Sequence, residues 1–266
     1  MRKIDFTKIV ASGNDFAVIE NSRQLSVFSF QSLAKKICER KYGVGADGLL
    51  ILEKSRVADV RMRIFNPDGS EAQMCGNGAR ATALYKKSSK VKIETKAGII
   101  ESEVKRDNVK IKLTEPKEIK LDLPVRLRNR TLRVNFINTG VPHAVIFVAD
   151  LDKIDVTDLG RQVRYHKQFA PQGTNADFIE VLDKRNIKLR TYERGVENET
   201  LACGTGAVAS ALITAYSLQL TAYSRINIHT KSGEILKVYF EKTGRKFSDV
   251  WLEGKARIVY KGAYYV

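Results

Sequence analysis

Cysteine, long apolar runs and metal-ligand spacings are all scarce in this 266-residue chain. Its three cysteines, Cys38, Cys75 and Cys203, are odd in number and widely separated. Such a set excludes a disulfide scaffold and fits a reducing compartment. No apolar run approaches the roughly 18 residues that a membrane-crossing helix needs, so no membrane partner is expected. The opening Met1-Arg2-Lys3-Ile4-Asp5 lacks the continuous apolar core of a signal peptide, and the expected location is cytoplasmic. No CxxC, HExxH or clustered carboxylate spacing is present, so no metal is predicted.

What is present is the composition of a soluble globular protein, 43% apolar and 29% charged, long enough for one large domain or two modest ones. Basic residues outnumber acidic ones 46 to 30, giving a net charge of +16. That excess invites a nucleic-acid reading, but the basic residues alternate along strand-like stretches such as Val109-Lys110-Ile111-Lys112-Leu113, where every second side chain faces water. No basic helix, zinc-finger spacing or aromatic RNA-binding strand accompanies them, so no nucleic-acid partner is expected.

An internal repeat organises the chain. Cys75-Gly76-Asn77-Gly78-Ala79-Arg80-Ala81-Thr82-Ala83-Leu84 returns 128 residues later as Cys203-Gly204-Thr205-Gly206-Ala207-Val208-Ala209-Ser210-Ala211-Leu212, with seven of ten positions identical. Gly13–Ile19 aligns with Gly140–Ile146, Ala46-Asp47 with Ala176-Asp177, and Thr95–Gly98 with Thr230–Gly233. A period this long, occurring twice, indicates two homologous domains and not a solenoid. Each half reads as strands (Lys3–Val10 and Phe16–Glu20; Leu132–Asn138 and Ala144–Val148), then a helix (Gln31–Arg40; Leu159–Tyr165). Two more strands follow (Gly48–Leu52 and Val60–Phe65; Phe178–Val181 and Asn186–Tyr192), then the Cys-Gly helix and closing hairpins (Val91–Leu113; Arg225–Glu241). The fold class is α+β. Pro116, Pro124 and mixed charge mark Thr114–Arg130 as the linker. The halves span 1–118 and 119–254, and the tail, about 255–266, is expected to cross back as a strand of the first half.

Both cysteines stand where an Ala-rich helix begins. Unpaired N–H groups and the helix dipole there stabilise a thiolate, so a lowered thiol pKa is expected. The glycines let a carboxylate approach the same N–H groups. One such motif is ordinary, because cysteine packs well at a buried helix start. Two copies, one per half, favour chemistry. Moving a proton between the faces of a carbon takes a base on one side and an acid on the other, and two thiols supply both. Two thiols beside one carbon can also oxidise to a disulfide, so activity is expected to need a reductant.

Seven ordered blocks resemble the diaminopimelate epimerase family, a branch of the cofactor-independent amino-acid racemases and epimerases. They are Ser12–Phe16, Gly43–Gly48, Arg63–Glu71, Cys75–Arg80, Asn138–His143, Gly173–Asp177, and Tyr192–Gly195 through Cys203–Gly206. The resemblance implies two pseudo-symmetric domains, each a β-barrel-like sheet wrapped round a central helix, with the active site in the cleft between them. It implies interconversion of L,L- and meso-diaminopimelate in lysine and peptidoglycan-precursor synthesis, without a cofactor, by a homodimer. On this match Cys203 is the base toward the L,L substrate and Cys75 the acid. His143 and Glu193 orient substrate and tune the thiols, and Gly76, Asn77, Gly204 and Thr205 hold the reacting carboxylate. Asn14, Asn66, Asn175 and Arg194 hold the remaining amino and carboxylate groups. Gly48 and Val141 depart from relatives with Gln and Asn there, so backbone groups or water must replace those contacts. The alternative is another amino-acid racemase or epimerase using the same two thiols.

The remaining motifs read as structural. Gly43-Val44-Gly45-Ala46-Asp47-Gly48 matches GxGxxG literally, but it follows a helix and precedes a strand, the reverse of a dinucleotide site. Cys38 reads as core, and His166 and His229 as solvated. Pyridoxal phosphate is unnecessary when paired thiols supply acid and base.

Overall fold

The protein is described by a computed structural model for residues 2–21, 25, 29–220 and 222–266. The chain divides into two compact units, Met1–Lys112 with Glu253–Val266, and Leu113–Leu252. The first contains β1 (Lys3–Ala11), β2 (Asn14–Glu20), α1 (Phe30–Cys38), β3 (Gly48–Glu53), β4 (Val60–Phe65), β5 (Glu71–Ala72), α2 (Gly76–Lys86), β6 (Lys90–Thr95), β7 (Gly98–Lys105) and β8 (Asn108–Lys112). The second contains β9 (Lys117–Arg126), β10 (Thr131–Asn138), β11 (Pro142–Phe147), α3 (Val156–Arg164), β12 (Asn175–Asp183), β13 (Asn186–Glu193), β14 (Asn198–Thr200), α4 (Gly204–Ser217), β15 (Ala222–Thr230) and β16 (Ile235–Thr243). The last strand, β17 (Lys246–Tyr265), begins in the second unit and ends in the first.

In the first unit the ladder runs β1–β2–β3–β4–β6–β7–β8–β17 and returns to β1, an eight-stranded closed barrel. Closure leaves no free edge. The β1–β2 connection is a two-residue turn with Ser12 and Gly13 at φ 49° and 85°, the backbone a tight hairpin requires. It sets Asn14 at the head of β2. Helix α2 lies against β1, β2, β3, β4, β6, β7 and β8 and is buried round its whole circumference from Asn77 to Thr82. A helix with no polar stripe is a core helix, and its small residues let it fit inside the barrel. Helix α1 instead buries one face, Leu33, Ala34, Ile37 and Cys38, against Ala17, Ile19, Leu49, Ile51 and Phe65. Cys38 is therefore core, and burial pushes its thiol up to about 11. Gly43 closes α1's last turn, where an added Cβ would stand 2.2 Å from the Lys36 carbonyl oxygen.

The second unit repeats this plan. Its ladder runs β9–β10–β11–β12–β13–β15–β16, with α4 packed on β10, β11, β12, β13, β15 and β16, and α3 on β12, β13 and β14. Sheet register makes the equivalence exact residue by residue. Phe16 opposes Gly48 as His143 opposes Asn175, and Leu50 opposes Ile64 as Asp177 opposes Thr191. The sequence alignment of Ala46-Asp47 with Ala176-Asp177 is thereby corrected: Leu49 and Leu50 occupy the positions of Ala176 and Asp177. The repeat also duplicates an ion triad. Glu71 accepts from Arg63 Nε at 2.8 Å and Lys96 Nζ at 2.7 Å, and Glu199 accepts from Arg190 Nε and Lys231 Nζ, both at 2.7 Å.

Most of the expected linker is a strand. β9 pairs with β10 through two bulges, with Glu118 and Asp122 at φ 52° and 53°. Each bulge adds a residue on β9, so the period-two alternation that marks a strand is lost. Pro124 is accommodated in this irregular strand. Ala256–Tyr265 of β17 pairs antiparallel with β1. Among the described residues no helix is long and apolar enough to cross a membrane.

Candidate active site

Cys75 is the N-cap of α2, in extended backbone conformation, and its Sγ accepts from the Gly78 N–H at 3.4 Å. Beside it lies a chain of side-chain hydrogen bonds. Arg80, wholly buried, donates through Nη2 to Ser12 Oγ at 2.7 Å and Asn77 Oδ1 at 2.5 Å. Asn77 Nδ2 donates to Asn14 Oδ1 at 2.6 Å, and Asn14 Nδ2 donates to Asp47 Oδ2 at 3.2 Å. Asp47 also accepts from Arg40, which bridges to Asp15. Burial alone would raise the Asp15 carboxyl, but hydrogen bonds from Lys8 and Arg40 hold it down at about 2. Two residues assigned to substrate, Asn14 and Asn77, are thus oriented by one network. Asn66 stands apart from it, exposed, with Nδ2 donating to Ser70 Oγ at 2.9 Å in the turn before β5. Gly48 is buried against Phe16, and a Cβ there would come within 3.3 Å of the ring.

In the second unit Cys203 is the N-cap of α4 and is buried. Its Sγ lies 3.5 Å from Thr205 Oγ1, and the Thr205 carbonyl accepts from Thr139 Oγ1 at 3.2 Å. The expectation of a lowered thiol pKa fails here. Burial and the negative charges of Glu193 and Asp177 push Cys203 well above the usual thiol range, against the smaller opposing effects of Thr205 and the Gly206 N–H. Desolvation outweighs the helix N-terminus at this thiol and disfavours its thiolate. Burial likewise raises the Glu193 carboxyl, opposed by a hydrogen bond from Thr200 and the proximity of His143.

His143 is fully buried, with Nδ1 2.7 Å from Asp177 Oδ2. Thr191 Oγ1 donates to Asp177 Oδ1 at 2.7 Å. Asn175 uses its side chain to join two backbone segments: Nδ2 donates to the Pro142 carbonyl at 3.0 Å and Oδ1 accepts from the Arg194 N–H at 2.8 Å. Arg194 is half-exposed, with Nη1 donating to the Gln172 carbonyl. Sequence reasoning gave no role to Asp177, Thr191, Asp47 or Arg80. Asp177 and Asp47 both lie in blocks that carried the family resemblance, and strand pairing supplies the partners. The two histidines read as solvated are half-buried and bonded: His166 Nε2 to the Arg126 carbonyl at 3.2 Å, and His229 Nε2 to Asn186 Oδ1 at 3.4 Å.

Comparison with known proteins agrees with this organisation. The family model described as diaminopimelate epimerase matches residues 6–119 and 135–259. A diaminopimelate epimerase of Aquifex aeolicus (strain VF5) is 39% identical over 280 residues, covering 97% of both chains. One from Hydrogenobaculum sp. (strain Y04AAS1) is 42% identical over 274 residues, covering 96% of both. Among solved structures, a Bacillus anthracis phenazine biosynthesis protein of the PhzF family is similar with a TM-score of 0.77 at 20% identity, over 100% of both chains. A hydroxyproline epimerase from Agrobacterium vitis gives 0.72 at 13% identity, over 98% of this chain and 92% of that one. These two likenesses establish the two-domain α+β fold. With the family model covering both halves and relatives aligned nearly end to end, the chain belongs to the diaminopimelate epimerase family, a family of isomerases.

Proposed function

We propose that the protein interconverts L,L- and meso-diaminopimelate without a cofactor by two-base proton transfer, one cysteine removing the α-proton and the other delivering a proton to the opposite face, in lysine and peptidoglycan-precursor synthesis. The observation that carries this reading is the duplicated cap: Cys75 and Cys203 occupy equivalent positions at the N-termini of equivalent core helices. The reaction requires that, with substrate bound, the thiols address opposite faces of the α-carbon. In the L,L direction Cys203 thiolate takes the proton and Cys75 thiol delivers one to the other face. The reverse direction exchanges the roles, and no net charge or electron is consumed.

Burial and the neighbouring carboxylates favour the thiol form of Cys203, the form that donates. Before it abstracts, its proton has to leave to another acceptor. As the α-proton departs, negative charge grows on the adjacent carboxylate, where N–H groups at Gly76, Asn77, Gly204 and Thr205 would stabilise it. Asn14, Asn66, Asn175 and Arg194 would then serve the second amino-acid head. The test is incubation of reduced protein with L,L-diaminopimelate in D₂O, with no cofactor added, followed by proton NMR. Loss of the α-proton signal with appearance of the meso form supports the reading. No exchange with diaminopimelate, and exchange with a single-headed amino acid, would replace it with the alternative racemase or epimerase.

A further inference from the structure

The duplicated scaffold is its own control for what the barrel requires beneath a helix N-terminus. Below Gly78 of α2 the first unit places Leu50 and Ile64, whose terminal methyl carbons lie 3.2 and 3.4 Å from where a Gly78 Cβ would be. Phe16 completes this apolar set on the neighbouring strand. The positions equivalent to Phe16, Leu50 and Ile64 in the second unit are His143, Asp177 and Thr191. Asp177 sits under Gly206, equivalent to Gly78, with its Oδ1 only 2.5 Å from a built Cβ. The fold is therefore satisfied by apolar side chains here, and the second unit has replaced all three with groups that must be hydrogen-bonded to be buried. Packing explains Leu50, Ile64 and Phe16; it does not explain an imidazole, a carboxylate and a hydroxyl in their places.

The geometry settles how the imidazole is held. A carboxylate has no hydrogen to donate, so the 2.7 Å contact from His143 Nδ1 to Asp177 Oδ2 places the proton on Nδ1. The second oxygen, Oδ1, is occupied by Thr191 and by the close approach of α4 at Gly206, so the carboxylate cannot swing away. In the neutral ring Nε2 then carries a lone pair. It is buried and has no hydrogen-bond partner among the described residues. Buried polar atoms are normally paired, so an atom left open at such a depth stands out as available for proton exchange. The other titratable groups facing this half-site are Glu193, on which His143 acts, and Cys203, on which both Glu193 and Asp177 act.

We infer that Asp177 is a positioning residue that fixes His143 in the Nδ1–H tautomer, so that Nε2 takes up the proton that leaves Cys203 before abstraction and gives it up to water when the free enzyme, with Cys75 again a thiol, is restored in each turnover. The inference rests on the proton-transfer function proposed above. Proton uptake at Nε2 gives an imidazolium whose Nδ1–H still donates to Asp177, so the ring keeps its place in both states. Asp177 acts through His143, to which it is hydrogen-bonded.

The test has two arms. The first is ¹H–¹⁵N multiple-bond NMR of the histidine rings in the full-length resting protein, which reports the tautomer without substrate; His143→Gln identifies its signals among the three histidines. The expected result is Nδ1–H in the wild type and a shift to Nε2–H in Asp177→Asn, whose amide can donate to Nδ1. The second arm is kinetics. In serine proteases the equivalent change at the carboxylate partner leaves geometry intact but lowers kcat by about 10⁴ through the wrong tautomer. Here a fall of about 10²-fold or more in kcat is expected, with KM changed less than about 3-fold. Thr191→Val, which leaves the His143–Asp177 bond in place, should keep the tautomer and lose far less. Nε2–H in the resting wild type, or a well-folded Asp177→Asn with near-normal kcat, overturns the inference. Should Asp177→Asn fail to fold, the wild-type tautomer and the Thr191→Val kinetics decide it. A wild type inactive on diaminopimelate would refute the proposed function, and the tautomer measurement would then decide the positioning claim by itself.

Discussion

Adding one methyl group at each of two equivalent glycines should have unequal consequences. Replacing a helical glycine by alanine gains about 0.5–1 kcal/mol from backbone entropy when there is room. At Gly78 the new Cβ would meet Leu50 Cδ2 at 3.2 Å and Ile64 Cδ1 at 3.4 Å, and both are terminal methyl carbons able to yield a few tenths of an ångström. Gly78→Ala should therefore lie within about 1 kcal/mol of the wild type. At Gly206 the same methyl falls 2.5 Å from Asp177 Oδ1. That carboxylate is held by Thr191 and His143, so relief means breaking a buried charged hydrogen bond, about 1.5–3 kcal/mol, or accepting overpacking of about 1–3 kcal/mol. After the entropy gain, Gly206→Ala should still be destabilised by about 1–2.5 kcal/mol. At roughly 2–4 °C per kcal/mol for a protein this size, the melting temperature should fall by about 5 °C, against little change or a small rise for Gly78→Ala. Thermal unfolding followed by circular dichroism reads both. Equal, small shifts would show that Asp177 can move freely and would refute the reasoning.

Two further predictions concern stability. Hydrogen bonds from Arg63, with help from Lys96 and against burial, hold the Glu71 carboxyl at about 2, below its ordinary 4.5. A depressed folded-state pKa contributes stability that is fully present above about 4.5 and lost as pH falls through about 2. The ceiling is about 3 kcal/mol, reduced to about 1–2 by solvent screening through the half-exposed Lys96. Glu71→Gln should accordingly be less stable than the wild type at pH 6 and nearly equal to it at pH 2; a pH-independent difference in denaturation midpoint would contradict this. Gly160 in α3 faces Tyr192 so closely that a Cβ would stand 2.3 Å from the Tyr192 Cβ. Because that atom is fixed to the backbone of β13, Gly160→Ala should cost about 3 kcal/mol or more, and a soluble variant of near-normal melting temperature would show that α3 can lift.

The sequence carried the duplication, the strand order and the two capping cysteines, because these rest on local periodicity and on a short, nearly identical string. Val60–Phe65 alternates cleanly and is a strand with those bounds. Where the pattern is broken by design, the reading failed. The bulges at Glu118 and Asp122 hid β9 behind an irregular spacing and two prolines. Matching Ala46-Asp47 to Ala176-Asp177 followed letter identity, whereas the fold aligns by register and puts Leu50 opposite Asp177. The ion triads at Glu71 and Glu199 lie in the repeat, yet their members are separated by up to 41 residues and become partners only through strand pairing. The thiol of Cys203 was misjudged for a related reason. A helix N-terminus is visible in sequence, but the desolvation and the two carboxylates that oppose it are products of packing.

The central claim is that the proton removed from the substrate and the proton delivered to it pass through different thiols. Early-time NMR of L,L-diaminopimelate in D₂O tests it directly, because the isotope at the α-carbon is read separately in substrate and product. The account predicts deuterium in the meso product from the first turnovers, while unreacted L,L substrate keeps its protium, and loss of this conversion in both Cys75→Ser and Cys203→Ser. Product that retains the original α-proton, or full conversion by either variant, would mean that a single base serves both faces and would contradict the account.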